Sequence, residues 1–326
     1  MTDHAFLEVK DLRVEYTSDK QIIHAVNGAS FSLEKGETLG LVGETGAGKT
    51  TIAKSILRVL PDRAASIRSG KILYNGEDLL SASEERMRSI RGNEIAMIFQ
   101  DPMTALNPTM TVGYQIFEAI MLHNTCEKAE GKARAEAMLE KVGIPAVRYH
   151  DYPHQFSGGM KQRVVIAMAL ACNPALLLSD EPTTALDVTI QAQVLDMMQD
   201  LKTEFQTSMI MITHDLGIVA EVCDKVAVCY AGEIVEYGTM EDIFDNPLHP
   251  YTVGLFHSLP DMSGKRNRLT PIKGMMPDPV SLPEGCFFAE RCPYATEKCR
   301  ETHPQLEIAD GEHEVRCFGK ENGKHG

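Results

Sequence analysis

The residues Gly43, Glu44, Thr45, Gly46, Ala47, Gly48, Lys49 and Thr50 fit the pattern GxxxxGK[ST]. Glycines at this spacing let successive backbone N–H groups curl around phosphate oxygens. A helix opening at Lys49 adds the partial positive charge of its N-terminus. Lys49 has the reach for the β- and γ-phosphates of a bound nucleotide, the Thr50 hydroxyl is a ligand for Mg²⁺, and Thr51 completes the nucleotide-binding set. A second group supports this one: Leu176-Leu-Leu-Ser-Asp-Glu181 is an apolar run ending in two carboxylates. Such a strand puts Asp180 on the Mg²⁺ shell and leaves Glu181 to orient or deprotonate an attacking water, as a general base does. The chemistry implied is hydrolysis of a nucleoside triphosphate.

A third stretch, Phe156-Ser-Gly-Gly-Met-Lys-Gln-Arg163, places Ser157, Gly158 and Gly159 at the opening of a long helix over Met160–Ala171. Its free N–H groups make an anion site with no phosphate loop beside it. This stretch closely resembles the signature motif of the ABC ATPases. Tyr16 then looks like the aromatic that stacks on adenine, and Gln100 like the Q-loop glutamine. Thr184-Ala-Leu-Asp187 looks like the D-loop, with Thr in place of the commoner Ser, and His214 like the switch histidine. Taken singly, Tyr16 reads as a strand aromatic, His214 as a capping or core histidine and Gln100 as a loop residue. Their order along residues 6 to about 250 is what joins them. The resemblance implies that two such chains sandwich two ATP molecules head to tail, with Ser157, Gly158 and Gly159 acting on the ATP held by the other subunit's loop and Asp187 among the nucleotide-binding residues. It also implies that Gln100 senses the γ-phosphate, ligates Mg²⁺ alongside Thr50 and Asp180, and moves a helical insert that touches transmembrane subunits. Glu181, His214 and Gln100 form the expected catalytic set.

The elements that must position these residues are also readable. Phe6–Tyr16 alternates apolar and polar side chains and Ala29–Leu33 follows in kind, which predicts an antiparallel β layer. Thr38–Val42, Ile95–Phe99, Ala175–Ser179, Ser208–Thr213 and Lys225–Tyr230 read as buried strands of a mostly parallel sheet. A helix is expected from Lys49 to Leu60, stopped by Pro61, and an inserted α-helical subdomain over about 102–171, including Val112–His123 and Glu127–Val142. The fold class is therefore α/β, a P-loop NTPase of the ABC type by the resemblance, with residues 1–259 as the ATPase domain.

After Pro250 the texture changes: seven of the sixteen prolines lie in the last 67 residues, and no long periodic element is readable there. Residues 260–326 form a small extension with too little apolar content for a core of its own, so a covalent or metal staple is expected. Cys286, Cys292, Cys299 and Cys317 sit in it at spacings C-x5-C-x6-C-x17-C, while Cys126, Cys172, Cys223 and Cys229 are scattered through apolar or helical context. A reducing compartment disfavours disulfides, which predicts one metal centre held by the four tail cysteines, with His303 and His313 nearby as substitutes. Spacing alone does not choose between iron–sulfur and zinc.

The stretch Gln100–Pro108, the stretch His249-Pro-Tyr-Thr252 and the Cys-rich tail resemble the ATPase subunits of dipeptide and oligopeptide permeases. That resemblance favours a 4Fe-4S cluster over Zn²⁺. It implies an importer with a second similar ATPase subunit (as a heterodimer or homodimer), two transmembrane permease subunits and an extracytoplasmic solute-binding protein, the chain lying peripherally on the cytoplasmic side of the inner membrane. Nickel or another small solute is the alternative cargo. A net charge of −14 argues against a large nucleic-acid footprint, and a soluble ATPase of DNA repair or translation would need a basic surface, a coiled-coil insertion or a second cassette. The longest apolar run, Val164–Cys172, is far too short to span a membrane.

Overall fold

The structure, a computed structural model, describes residues 5–19, 21–184, 186–258 and 271–319. The expected domain boundary at 259/260 lies outside the described residues, as does Ala185. In chain order the elements are β1 (Leu7–Ser18), β2 (Gln21–Leu33), β3 (Thr38–Val42), α1 (Lys49–Ile56), β4 (Ala65–Tyr74), β5 (Glu77–Asp78), α2 (Glu84–Ile90), β6 (Ile95–Ile98), α3 (Pro102–Ala105), α4 (Val112–His123), α5 (Lys128–Lys141), α6 (Gly158–Leu170), β7 (Leu176–Asp180) and α7 (Val188–Phe205). They continue with β8 (Ser208–Ile212), α8 (Leu216–Val222), β9 (Lys225–Tyr230), β10 (Glu233–Thr239), α9 (Met240–Asp245), α10 (Pro250–His257), α11 (Glu297–Glu301), β11 (Glu307–Asp310) and β12 (His313–Val315). The chain divides into two compact units, residues 1–81 with 212–326 and residues 82–211.

The first unit holds an antiparallel sheet in the order β2-β1-β4-β5. Burial along β1 falls on Leu7 and Val9 and then on Leu12 and Val14. The break in alternation is a bulge at Lys10–Asp11, where Asp11 takes φ +43. β2 begins at Gln21, earlier than the Ala29 expected, because its first half pairs with β1 through backbone while its side chains stay largely outside the core. A second array runs β3-β9-β10-β12-β11. β3 lies parallel to β9, Leu39 opposite Lys225 through Val42 opposite Val228, and is buried at all five positions. Beyond β9 the pairings are antiparallel, which the expectation of a mostly parallel sheet did not include. α1 ends at Ile56, ahead of Pro61, where Arg58 turns into the left-handed region at φ +51.

In the second unit β6 lies parallel to β7, Ile95 opposite Leu176 through Ile98 opposite Ser179, and β8 flanks β7 on its other side. β7 is buried throughout, as a central strand covered on both faces must be. Helices α4, α5 and α6 pack on one another, burying Val112, Ile116, Ile120, Leu139, Val164 and Ile166. β4, β10 and α7 were not among the expected elements.

Candidate functional site

In the first unit β3 delivers the chain into the glycine loop and α1 carries it away. Gly43 (φ +146) and Gly48 (φ +102) hold backbone conformations closed to other residues, and a Cβ on Gly43 would collide with the Cys229 carbonyl. Gly48 caps α1 without any side-chain hydrogen bond, so the helix opens directly from the glycine loop. Thr45 and Gly46 are exposed at the tip of the loop, while Lys49 is buried and its Nζ donates to the carbonyls of Gly43 (2.8 Å) and Glu44 (2.9 Å). Tyr16 Oη lies 3.3 Å from Thr51 Oγ1. His214 is exposed between β8 and α8, beside Thr213, whose Oγ1 accepts from the Asp215 N–H at 3.0 Å.

Three residues that sequence reasoning missed brace this loop. Cys229, read from sequence as a small hydrophobe, donates its Sγ–H to the Ala47 carbonyl at 2.8 Å. Burial pushes its thiol up to about 12 against the opposing pull of Lys49, which keeps the proton needed for that bond. Tyr251 Oη accepts the Glu44 N–H at 2.9 Å, and Arg291 pairs with the Glu44 carboxylate. A buried tyrosine in the His249–Thr252 stretch was the one available signal, since a fully buried Tyr hydroxyl needs a partner.

In the second unit β7 ends at Asp180, which is buried, and Glu181 follows in the left-handed region at φ +47. Glu181 Oε2 accepts from Gln100 Nε2 at 2.8 Å and from Thr184 Oγ1 at 2.9 Å, so the structure brings these three expected residues together. Ser157 caps α6 by accepting the Met160 N–H at 3.4 Å, and Asp187 caps α7 by accepting the Ile190 N–H at 2.9 Å. Both line one cavity of about 560 Å³, together with Gly158, Gly159 and Arg163. A Cβ on Gly159 would stand 2.6 Å from Ile190 Cγ2, whereas Gly158 has no atom within 4 Å of the corresponding point.

Cys286, Cys292, Cys299 and Cys317 all line a single cavity of about 460 Å³, walled also by Phe288 and Phe318. The turn is closed by the Cys286 N–H donating to the Cys299 carbonyl at 2.7 Å. Burial pushes the Cys286 thiol up to about 12, and the nearby Cys317, Cys299 and Cys292 add to the rise. Among the described residues no three His, Cys, Asp or Glu side chains converge closely enough to hold a single metal ion. The two histidines named as substitute ligands are engaged elsewhere: His303 Nε2 pairs with Glu233 and His313 Nε2 with Glu236, each at 2.8 Å, and neither lines this cavity.

The family described as ABC transporter matches residues 26–184, and the one described as oligopeptide/dipeptide transporter, C-terminal region, matches residues 235–299. The chain is 50% identical to the dipeptide transport ATP-binding protein DppD of Bacillus subtilis (strain 168), over 96% of this chain and 94% of the relative. It is 48% identical to the oligopeptide transport ATP-binding protein AppD of the same organism, over 96% of each. Among solved structures, the dimeric post-hydrolysis ATP-binding cassette MJ0796 bound to ADP and phosphate superposes with a TM-score of 0.64 at 23% identity, covering 72% of this chain and 98% of that one. That likeness is one of fold.

Proposed function

The chain belongs to the ABC transporter ATP-binding family, in its oligopeptide/dipeptide branch, and from that premise we propose that it hydrolyses ATP to drive peptide import. The support for peptide as the cargo is likeness over nearly the whole chain to dipeptide and oligopeptide transport ATP-binding proteins, the C-terminal region included.

Lys49 and the loop N–H groups bind the phosphates, and Tyr16 stacks on adenine. Thr50, Gln100 and Asp180 offer the oxygen donors that Mg²⁺ takes. That ion would neutralise charge developing on the phosphates. Glu181, steadied by Gln100 and Thr184, aims the attacking water, and His214 assists on the γ-phosphate side. Ser157, Gly158, Gly159 and Asp187 act in trans on ATP held by a second, similar ATPase subunit. Their shared open cavity, with backbone N–H groups and Arg163 at its rim, supports that reading. Two permease subunits dock on the second unit, where Tyr114, Leu122 and Val147 are exposed apolar side chains. A solute-binding protein delivers the peptide on the far side. Among the described residues no helix is long and apolar enough to cross the membrane, in keeping with peripheral attachment at its cytoplasmic side.

Residues 260–326 act as a Cys-rich extension whose four thiols hold a 4Fe-4S cluster. What supports a shared centre is that all four thiols line one cavity, an all-thiolate set of the kind that holds such clusters. The cluster would supply folding free energy to a segment without a core of its own. Anaerobically purified protein is expected to be brown, with iron and acid-labile sulfide at about four each per chain, and Cys286→Ser should lower both. Colourless protein with one zinc would replace the cluster, and freely reactive thiols in native metal-free protein would remove the metal altogether.

The test of the hydrolytic reading is Glu181→Gln, which keeps shape and removes the base. ATP binding should persist while turnover falls by about 10²-fold or more, with an ATP-bound dimer accumulating. Turnover within about threefold of wild type contradicts the role, since such a loss is far below what removal of a positioned base costs.

A further inference from the structure

The phosphate loop contains a contradiction: a site built to attract a polyphosphate carries a carboxylate, Glu44, directly after its first glycine. Left unneutralised, that charge would oppose the anion the loop collects. We propose that Arg291, from the cysteine-bearing segment, is a positioning residue of the ATP site that neutralises and aims Glu44.

The guanidinium meets the carboxylate as a parallel fork, Nη1 to Oε2 at 3.1 Å and Nη2 to Oε1 at 3.0 Å, the strongest geometry such a pair adopts. The Arg291 side chain is only 5% exposed while Glu44 is 31% exposed, so the guanidinium is held in place by the protein and the carboxylate end still meets water. The group is fixed from the other sides as well. Nε donates to the Lys273 carbonyl at 3.0 Å, and Nη1 also donates to Tyr230 Oη at 3.3 Å. Phe288 packs edge-on against Tyr230 and Tyr251, with ring centroids 5.2 Å and 5.5 Å away, and Tyr251 Oη holds the Glu44 N–H. Glu44 is thus gripped at backbone and side chain by residues far from the loop in sequence.

The same turn carries the thiols. The N–H groups of Arg291 and Cys292 both donate to the Phe288 carbonyl, at 3.0 Å and 2.9 Å, and Cys286 and Cys292 line the cysteine cavity at either end of this turn. Order in the cysteine segment is therefore order in the phosphate loop. This extends the ATP-binding reading of the loop to a residue outside every motif, and it gives the extension a task at the nucleotide.

The experiment is titration of the full-length chain with Mg²⁺ and ATP, read by calorimetry, with thiol reactivity and metal content followed as controls on the extension. Arg291→Ala and the size-preserving Arg291→Gln should each weaken ATP affinity by about tenfold or more, one step of 1.4 kcal/mol. Arg291→Lys should recover only part, because an ammonium cannot make the fork. Adding Glu44→Gln to either neutral variant removes the unpaired carboxylate and should restore most of the lost affinity, which a merely structural role for Arg291 does not predict. Wild-type affinity in Arg291→Gln, or a double variant no tighter than the single one, overturns the proposal. Lys49→Ala serves as the reference: if it binds ATP as wild type does, the loop itself is misread, a different failure from that of Arg291.

Discussion

Glu181 is the residue at which function and stability pull in opposite directions. An L-residue in the left-handed region costs about 1–2 kcal/mol, and Glu181 accepts that cost at φ +47 while aiming its carboxylate at Gln100 and Thr184. Strain of this kind persists where the surroundings over-determine it. Glu181→Gly should therefore melt higher than Glu181→Ala, by about 2 °C for a chain of this size, although both are inactive. Equal melting temperatures would mean that the strain is not there. At the same scale, Lys49→Ala and Ser157→Ala should separate the two halves of the ATP site. The first abolishes nucleotide binding to the isolated chain. The second should leave that binding intact and lower ATPase only in the assembled complex, as the proposed trans role of Ser157 requires. Equal loss of affinity in a demonstrated monomer would contradict the trans role. The motifs that hold these residues were legible in the sequence as patterns of type and spacing. Cys229, Tyr251 and Arg291 were not, because what they do depends on a contact with residues 182, 207 and 247 positions away.

Among the elements, those with a strong period were readable and those carrying buried charge were not. β3, β7 and β9 are apolar runs buried nearly throughout, and α4 shows its core stripe plainly. β10 hides its nature because Glu233 and Glu236 sit at 3% and 0% exposure, satisfied by His303 and by His313 with the N–H groups of Leu248 and His249. Acidic residues at core positions break the alternation that marks a strand. α7 carries Val194, Leu195, Met198 and Leu201 on one face and was readable by period, but it lies past the end of the expected helical region. The opening of α6 yields an element-scale prediction from its two glycines. Gly158→Ala adds a methyl into open space, whereas Gly159→Ala drives one to 2.6 Å from Ile190 Cγ2. Gly158→Ala should melt as wild type does, yet lose ATPase in the assembled complex, since a Cβ there blocks close approach of a phosphate to the helix N-terminus. Gly159→Ala should lose stability as well, by about 1–3 kcal/mol for an overpacked site. If Gly158→Ala keeps full activity in the complex, no phosphate approaches that helix end.

For the molecule as a whole, the net charge is −14, and among the described residues no helix is long and apolar enough to cross a membrane. Cargo is the property least visible here, since it is likeness to peptide transport ATP-binding proteins that points to it. The central claim, that ATP hydrolysis at this site drives peptide import, is met most directly by one measurement. The chain is reconstituted in lipid vesicles with its companion ATPase and the two permease subunits. ATPase rate and uptake of labelled peptide are then followed together, with peptide-loaded and with nickel-loaded solute-binding protein. The account predicts uptake of peptide in step with hydrolysis, stimulation by the peptide-loaded protein alone, and loss of both by about 10²-fold in Glu181→Gln. Hydrolysis indifferent to peptide but raised by nickel, or peptide uptake that survives Glu181→Gln, would contradict it.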